Sequence, residues 1–164
     1  LVKNVAGGAN FKTAGGNIKA STLQGSSVLT TAGGSLIVDV AAGKINAKTS
    51  AGEVIIGKVH SDATIKTSAG EVEIGVAPGN TGKINIHNSS GDVIVKVPAN
   101  LKSTIKGVVT SFGWGDEDDN EIQSDYPLTT KKSGGKVNFS CVLNGGGGTI
   151  DINVNMGELR IKKN

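Results

Sequence analysis

The chain has 164 residues and a formal net charge of +3, long enough for one domain with a real core. Glycine fills 25 positions and aromatics only 3%, yet 37% of residues are hydrophobic, with Val, Ile and Ala recurring between the glycines. That pattern argues against both a packed helical bundle and a disordered glycine-rich chain. No stretch approaches the ~18–20 apolar residues of a membrane span, and the lone Cys141 allows no intrachain disulfide.

From the N-terminal side the sequence repeats. Thr13-Ala-Gly-Gly-Asn-Ile18, Thr31-Ala-Gly-Gly-Ser-Leu36, Thr49-Ser-Ala-Gly-Glu-Val54, Thr67-Ser-Ala-Gly-Glu-Val72 and Asn88-Ser-Ser-Gly-Asp-Val93 are copies of one unit. Their aligned glycines, Gly16, Gly34, Gly52, Gly70 and Gly91, stand 18, 18, 18 and 21 residues apart. Asn155-Met-Gly-Glu-Leu159 is a further, degenerate copy around Gly157. Nine residues after three of these glycines come Gly25, Gly43 and Gly79, so each unit reads as strand, turn, strand, turn. The three extra residues before Gly91 fall in Ala77-Pro-Gly-Asn-Thr-Gly82, where a turn can lengthen and leave both strands intact.

Within each unit apolar and polar residues alternate. Ile45, Ala47 and Thr49 share one face, as do Ala63, Ile65 and Thr67, while Asn46, Lys48, Thr64 and Lys66 point to solvent. After the turn, Val54 and Ile56 match Val72 and Ile74. Two strands of about five residues cannot bury a face alone, but stacked copies can. The expected fold is all-β: a single-stranded parallel β-helix, or β-solenoid, of ~18-residue coils, right-handed by the general preference of crossovers. An antiparallel sandwich with two strands per repeat is the alternative, and stacking of like on like is favoured over it. Such stacking places Glu53, Glu71 and Asp92 in one ladder of like charges, which neighbouring lysines or turn amides would have to offset, and the exposure of these turns argues against a cation site there.

One domain over 1–164 is expected, with regular repeats over 1–106, an irregular excursion over 107–135, and closing strands with a final coil over 136–164. The excursion holds Phe112, Trp114 and Tyr126 and the acidic run Asp116, Glu117, Asp118, Asp119 and Glu121. Without that run the rest of the chain has 17 basic residues against 9 acidic ones, a balance of +8 that could attract anionic polymers. The run fits no EF-hand loop, and the glycines Gly145 to Gly148 lack the Gly-Lys-Ser/Thr of a phosphate loop. No cofactor and no metal are expected. Phe139, Cys141 and Leu143 alternate on one strand face, which makes Cys141 a core thiol.

The order of the repeats, then Ser124-Asp-Tyr-Pro-Leu128, then Leu143-Asn-Gly-Gly-Gly147, then Val154-Asn155 and Gly157-Glu-Leu159, resembles the bacterial putative-adhesin family of unknown function. The resemblance covers most of the chain. It implies a β-solenoid that is exported, periplasmic or at the cell surface, with its signal or anchor upstream of Leu1, and it brings no catalytic residues. Met156 departs from the family pattern and should bulge or re-register the last turn.

Three function classes compete. A non-catalytic surface or envelope binding, adhesion or scaffolding module suits a rigid rod with long faces. A self-assembling cytoskeletal-type solenoid would need bare ends, and Lys162-Lys163-Asn164 would blunt one of them. A polysaccharide-cleaving β-helix enzyme would need clustered acids and His, whereas only Arg160-Ile-Lys162 is suggestive. The first is expected, with an envelope or surface protein or polysaccharide as ligand, no nucleic acid, no membrane span in this sequence, and oligomerisation left open. The candidate interface is the outward stripe Ile37, Ile55 and Ile94, expected to be covered by Phe112, Trp114, Tyr126 or Leu128, or else by another molecule.

Overall fold

Alternating strands of the chain enter two different sheets. The computed structural model describes residues 2–110 and 121–164. Strands β1 (Val2–Val5), β3 (Ile18–Leu23), β5 (Leu36–Ala41), β7 (Val54–Val59), β9 (Val72–Val76) and β11 (Val93–Val97) pair in that order, all parallel. Strands β2 (Ala9–Thr13), β4 (Ser27–Thr31), β6 (Ile45–Ala51), β8 (Ala63–Ala69) and β10 (Lys83–Asn88) do the same in the second sheet. Among the described residues there are 17 strands and no helix. The fold is therefore all-β, built on two mostly parallel sheets.

Register follows the repeat. Val54 pairs with Val72, and Ile56 with Ile74; on the other sheet Thr31, Thr49, Thr67 and Asn88 form one row. The residues read as inward are buried: Ile45, Ala47, Val54, Ile65, Val72 and Ile74 are all at 0% exposure. A slip of one residue would turn every one of them to solvent, so the alternation itself fixes the register.

The Thr-x-x-Gly turn explains the repeat motif. Thr31 donates its hydroxyl to the Gly16 carbonyl and Thr49 donates to the Gly34 carbonyl, each at 3.1 Å, tying one layer to the next. Asn88 takes over this role, donating its amide to the Gly70 and Gly91 carbonyls at 3.0 and 2.8 Å. Gly52, Gly70 and Gly91 have φ of 135°, 133° and 114°, a region side chains rarely enter. The longer turn before β10 is held by Asn80, which is 5% exposed and donates to the Val59 and Ser61 carbonyls. Its oxygen accepts from the Gly82 amide at 2.6 Å, so the insertion leaves the β8–β10 register intact.

The C-terminal part differs from the expected order. β12 (Ser103–Thr110) continues regular strand structure through 110, past the expected end of the repeats at 106. β13 (Ile122–Ser124), β14 (Thr129–Ser133) and β15 (Lys136–Leu143) follow, and then β16 (Gly148–Asn155) and β17 (Leu159–Lys163). The β16–β17 unit does not stack at the end. β16 lies between β10 and β12, and β17 lies between β11 and β13. The strand that carries Lys162 and Lys163 is therefore not the edge of its sheet: β11 pairs along all of it, and the short β13 covers Leu159 to Ile161. The far edge of the nine-stranded sheet is instead β14, antiparallel to β15, exposed along its length and carrying Lys131 and Lys132.

Two local expectations are also corrected. Met156 neither bulges nor shifts the turn: Val154 stays opposite Asn88 and Leu159 opposite Val93. The residue adopts a left-handed φ of 51° with its side chain 54% exposed, and so accommodates the glycine-like turn alone. Asn144 does likewise at φ 50°, donating its amide to the Ala99 and Leu101 carbonyls, which accounts for the Asn-Gly-Gly-Gly segment.

Candidate binding surface

Three regions stand apart on the two sheets: the outward stripe of the eight-stranded sheet, the capping segment beside β15, and the outward face of the nine-stranded sheet.

On the eight-stranded sheet the outward row runs Lys19, Ile37, Ile55, Glu73, Ile94, Arg160 and Gln123 in register. Ile37 and Ile55 are neighbours and half-buried, whereas Ile94 is 9% exposed and separated from them by Glu73. The three isoleucines thus form a pair and a single residue, not one patch. Glu73 and Arg160, which flank Ile94, are each held in an ion pair. Lys96 Nζ lies 2.6 Å from Glu73 Oε1, and Arg160 Nη2 lies 2.6 Å from Glu158 Oε2. Their aliphatic stems border Ile94 on both sides in register, which suits a small apolar side chain between long ones. Phe112 and Trp114 lie outside the described residues.

Tyr126 is placed elsewhere than over that stripe. Together with Leu128 it packs against the hydrophobic core, where β15 presents Phe139, Cys141 and Leu143. Its hydroxyl donates to the Val97 carbonyl at 2.8 Å, while the preceding Asp125 accepts from the Lys163 amide at 2.7 Å. Asp125 N in turn donates to the Ile161 carbonyl. The Ser-Asp-Tyr-Pro-Leu segment is therefore a cap on the core. A methyl at Gly107 would fall on the Ile152 carbonyl of the adjacent strand and crowd the Phe139 ring, so glycine there permits the close approach of β12 and β16.

Burial pushes the Tyr126 phenol pKa up, with smaller contributions from Asp125 and Cys141, and burial likewise pushes the Cys141 thiol pKa up. Both groups are neutral in the native state, and their folded pKa values lie above the unfolded ones. Their stabilising contribution is thus complete below the ordinary thiol and phenol values, about 8.5 and 10, and fades as pH rises through the folded values. Chemical denaturation between pH 8 and 12 is expected to show this alkaline loss. The double variant Tyr126→Phe with Cys141→Ala should flatten the profile, and an unchanged slope would show that neither group is linked to folding.

The acidic turn ladder does form. Glu53, Glu71, Asp92, Glu158 and Glu121 succeed one another, each carbonyl accepting from the adjacent layer. Asp92 Oδ1 also accepts from the Glu158 amide at 3.0 Å. Among the described residues no three His, Cys, Asp or Glu side chains are gathered as metal ligands. Asp116 to Asp119 lie outside them.

The outward face of the nine-stranded sheet has a different character. One row runs Lys12, Thr30, Lys48, Lys66, His87, Asn153, Val108, Asn138 and Lys131. The parallel row runs Asn10, Val28, Asn46, Thr64, Asn85, Asp151, Lys106, Ser140 and Thr129. Lys83 and Lys136 add further cations on the same side. Among the described residues of these strands Asp151 is the one outward carboxylate, and Asn153 donates to it at 3.0 Å. Two shallow grooves lie on this face. One, of about 450 Å³, includes Lys12, Thr30 and Lys48; the other, of about 570 Å³, includes Lys106, Lys131 and Asn138. The sequence shows Lys48 and Lys66 as solvent-facing and a basic excess suited to anionic polymers, but not that these lysines share one face. The signal that could have found the face was the summed alignment of outward positions across repeats.

No family model matches the chain and no curated protein matches it. Among solved structures it is similar to the crystal structure of a "putative cell adhesion protein" from Clostridium sporogenes, with a TM-score of 0.52 and 11% identity over 99% of this chain and 93% of that one. At that identity the likeness is one of fold. No helix among the described residues is long and apolar enough to cross a membrane.

Proposed function

We propose that this chain is a β-solenoid of stacked ~18-residue coils that acts as a non-catalytic binding and scaffolding module of the adhesin type, exported and working at the cell envelope or surface. The observation that carries the reading is the register. Equivalent residues of successive repeats line up in register from β2 to β10, and the same rows continue across β16, β12, β15 and β14, so side chains are displayed on a broad, rigid face.

Ionisable groups are strung along rows instead of converging. His60 lies just past β7 of one sheet, and His87 points outward from β10 of the other. The Arg160 guanidinium is occupied by Glu158. Acid–base cleavage of a glycosidic bond calls for two carboxyl groups facing one another across a substrate. The resemblance of the repeats and of the capping segment to the putative-adhesin family supports the envelope setting, as does the description of the structural neighbour.

Incubation with polygalacturonate, alginate or peptidoglycan fragments should produce no new reducing ends and no shorter products. Turnover that disappears in Arg160→Ala would replace this reading with an enzymatic one.

A further inference from the structure

Building on the binding-module reading, we infer that the outward face of the nine-stranded sheet is the ligand-bearing surface and that its ligand is a linear acidic polysaccharide, a chain of carboxylate-bearing sugars laid across the strands.

The first argument is the distribution of ion pairs. Among the described residues both ion pairs, Lys96 with Glu73 and Arg160 with Glu158, belong to the eight-stranded sheet or its turn. On the nine-stranded sheet Lys48 and Lys66 stand directly opposite one another on adjacent strands. Like charges in that position repel at a strand spacing of ~4.8 Å. A polyanion relieves such repulsion, and a face with almost no carboxylate of its own selects for one.

The second argument is shape. The two grooves sit toward opposite ends of the sheet, one at Lys12 and Lys48, the other at Lys131 with Lys106 and Asp151 of the adjacent row. From β2 to β14 the sheet spans ~38 Å at that spacing. This is a track for an extended polymer, and one strand step is close to the rise of one sugar residue along an extended 1,4-linked chain.

The third argument is the chemistry between the lysines. Asn46, Thr64, Asn85 and Asn138 offer amide and hydroxyl groups that both donate and accept, which suits sugar hydroxyls. The outward positions of these strands hold no Phe, Tyr or Trp among the described residues. Single-stranded nucleic acid relies on aromatic stacking, and an interfacial membrane helix or belt relies on Trp, Phe or Leu. Neither is provided here.

The test uses the whole chain and polygalacturonate as probe, in calorimetric titration at 50 and 300 mM salt, with dextran, a single-stranded oligonucleotide and phosphatidylserine vesicles as comparators. Lys48→Ala with Lys66→Ala should weaken polygalacturonate binding at least tenfold and leave the melting midpoint unchanged. Lys19→Ala with Lys58→Ala, which removes the same charge from the eight-stranded sheet, should change it less than twofold. Equal loss in both double variants would reduce the effect to net charge and overturn the assignment of the face. Tighter binding of the oligonucleotide or vesicles, or a salt-reversible dimer in which this face meets the acidic turns of a second copy, would overturn the ligand class. The fate of the polymer separates the two readings. Polygalacturonate left intact and unbound sinks the ligand assignment alone, whereas shortened polygalacturonate sinks the non-catalytic function.

Discussion

Val72→Asp is expected to lower the unfolding free energy by about 3–5 kcal/mol, measured as a shift of the urea midpoint at unchanged slope. Val72 is at 0% exposure and lies between Val54 and Val93 in the inward row of the eight-stranded sheet. The carboxylate would replace an apolar side chain in a stack whose inward neighbours, Val54, Ile56, Ile74 and Val93, are all apolar and buried. Among the described residues no cation faces that position, so the charge would be desolvated without compensation. Lys66→Ala, one repeat position on the outer face, should change stability by less than about 0.5 kcal/mol. Comparable losses for the two would mean that the faces are the reverse of those described. The contrast also matters for binding, because a lysine that contributes little to folding is free to be selected for a ligand.

The second large effect is expected at Gly70. Gly70→Ala should cost about 2–4 kcal/mol, from a φ of 133° that alanine adopts only with strain and from a Cβ that would fall on the carbonyl oxygen of Gly52 in the neighbouring layer. The turns leave no room to relax, because each is tied to the next layer: Gly52 donates its amide to the Ala69 carbonyl at 3.0 Å, and Gly70 donates its own to the Ser90 carbonyl at 3.0 Å. Gly15→Ala provides the comparison. It lies in the same kind of turn, has no atom within 4 Å of the added methyl and needs no positive φ. Its replacement should be neutral within about 0.5 kcal/mol. If thermal melts gave both alanines the same midpoint, the close layer-to-layer approach of the turns would not be a source of stability.

Local periodicity determined a great deal. The 18-residue spacing of Gly34, Gly52 and Gly70, with two alternating strands per spacing, was enough to specify that Val54 lies beside Val72 and Thr49 beside Thr67. A pleat with period two allows one register per buried face, so face and register were legible together. The three extra residues before Gly91 were legible as turn length for the same reason.

Strand order at the C-terminal end was not legible. β12 follows β11 in sequence but is separated from β10 by β16, because an open edge accepts whichever strand presents matching hydrogen bonds and an apolar face, near or far in the chain. Alternation in Val137 to Leu143 announces a strand, yet nothing local says that its neighbour is β12 in antiparallel sense. The role of Tyr126 was hidden likewise, since its partner, the Val97 carbonyl, is 29 residues away. The basic face arises between these two cases. Each lysine's outward direction is fixed by its own strand, but Lys48 and Lys131 fall on one row only because β16, β12, β15 and β14 extend the sheet that the repeats began. Side-chain direction is a property of the strand; the company a side chain keeps is decided by which edges pair.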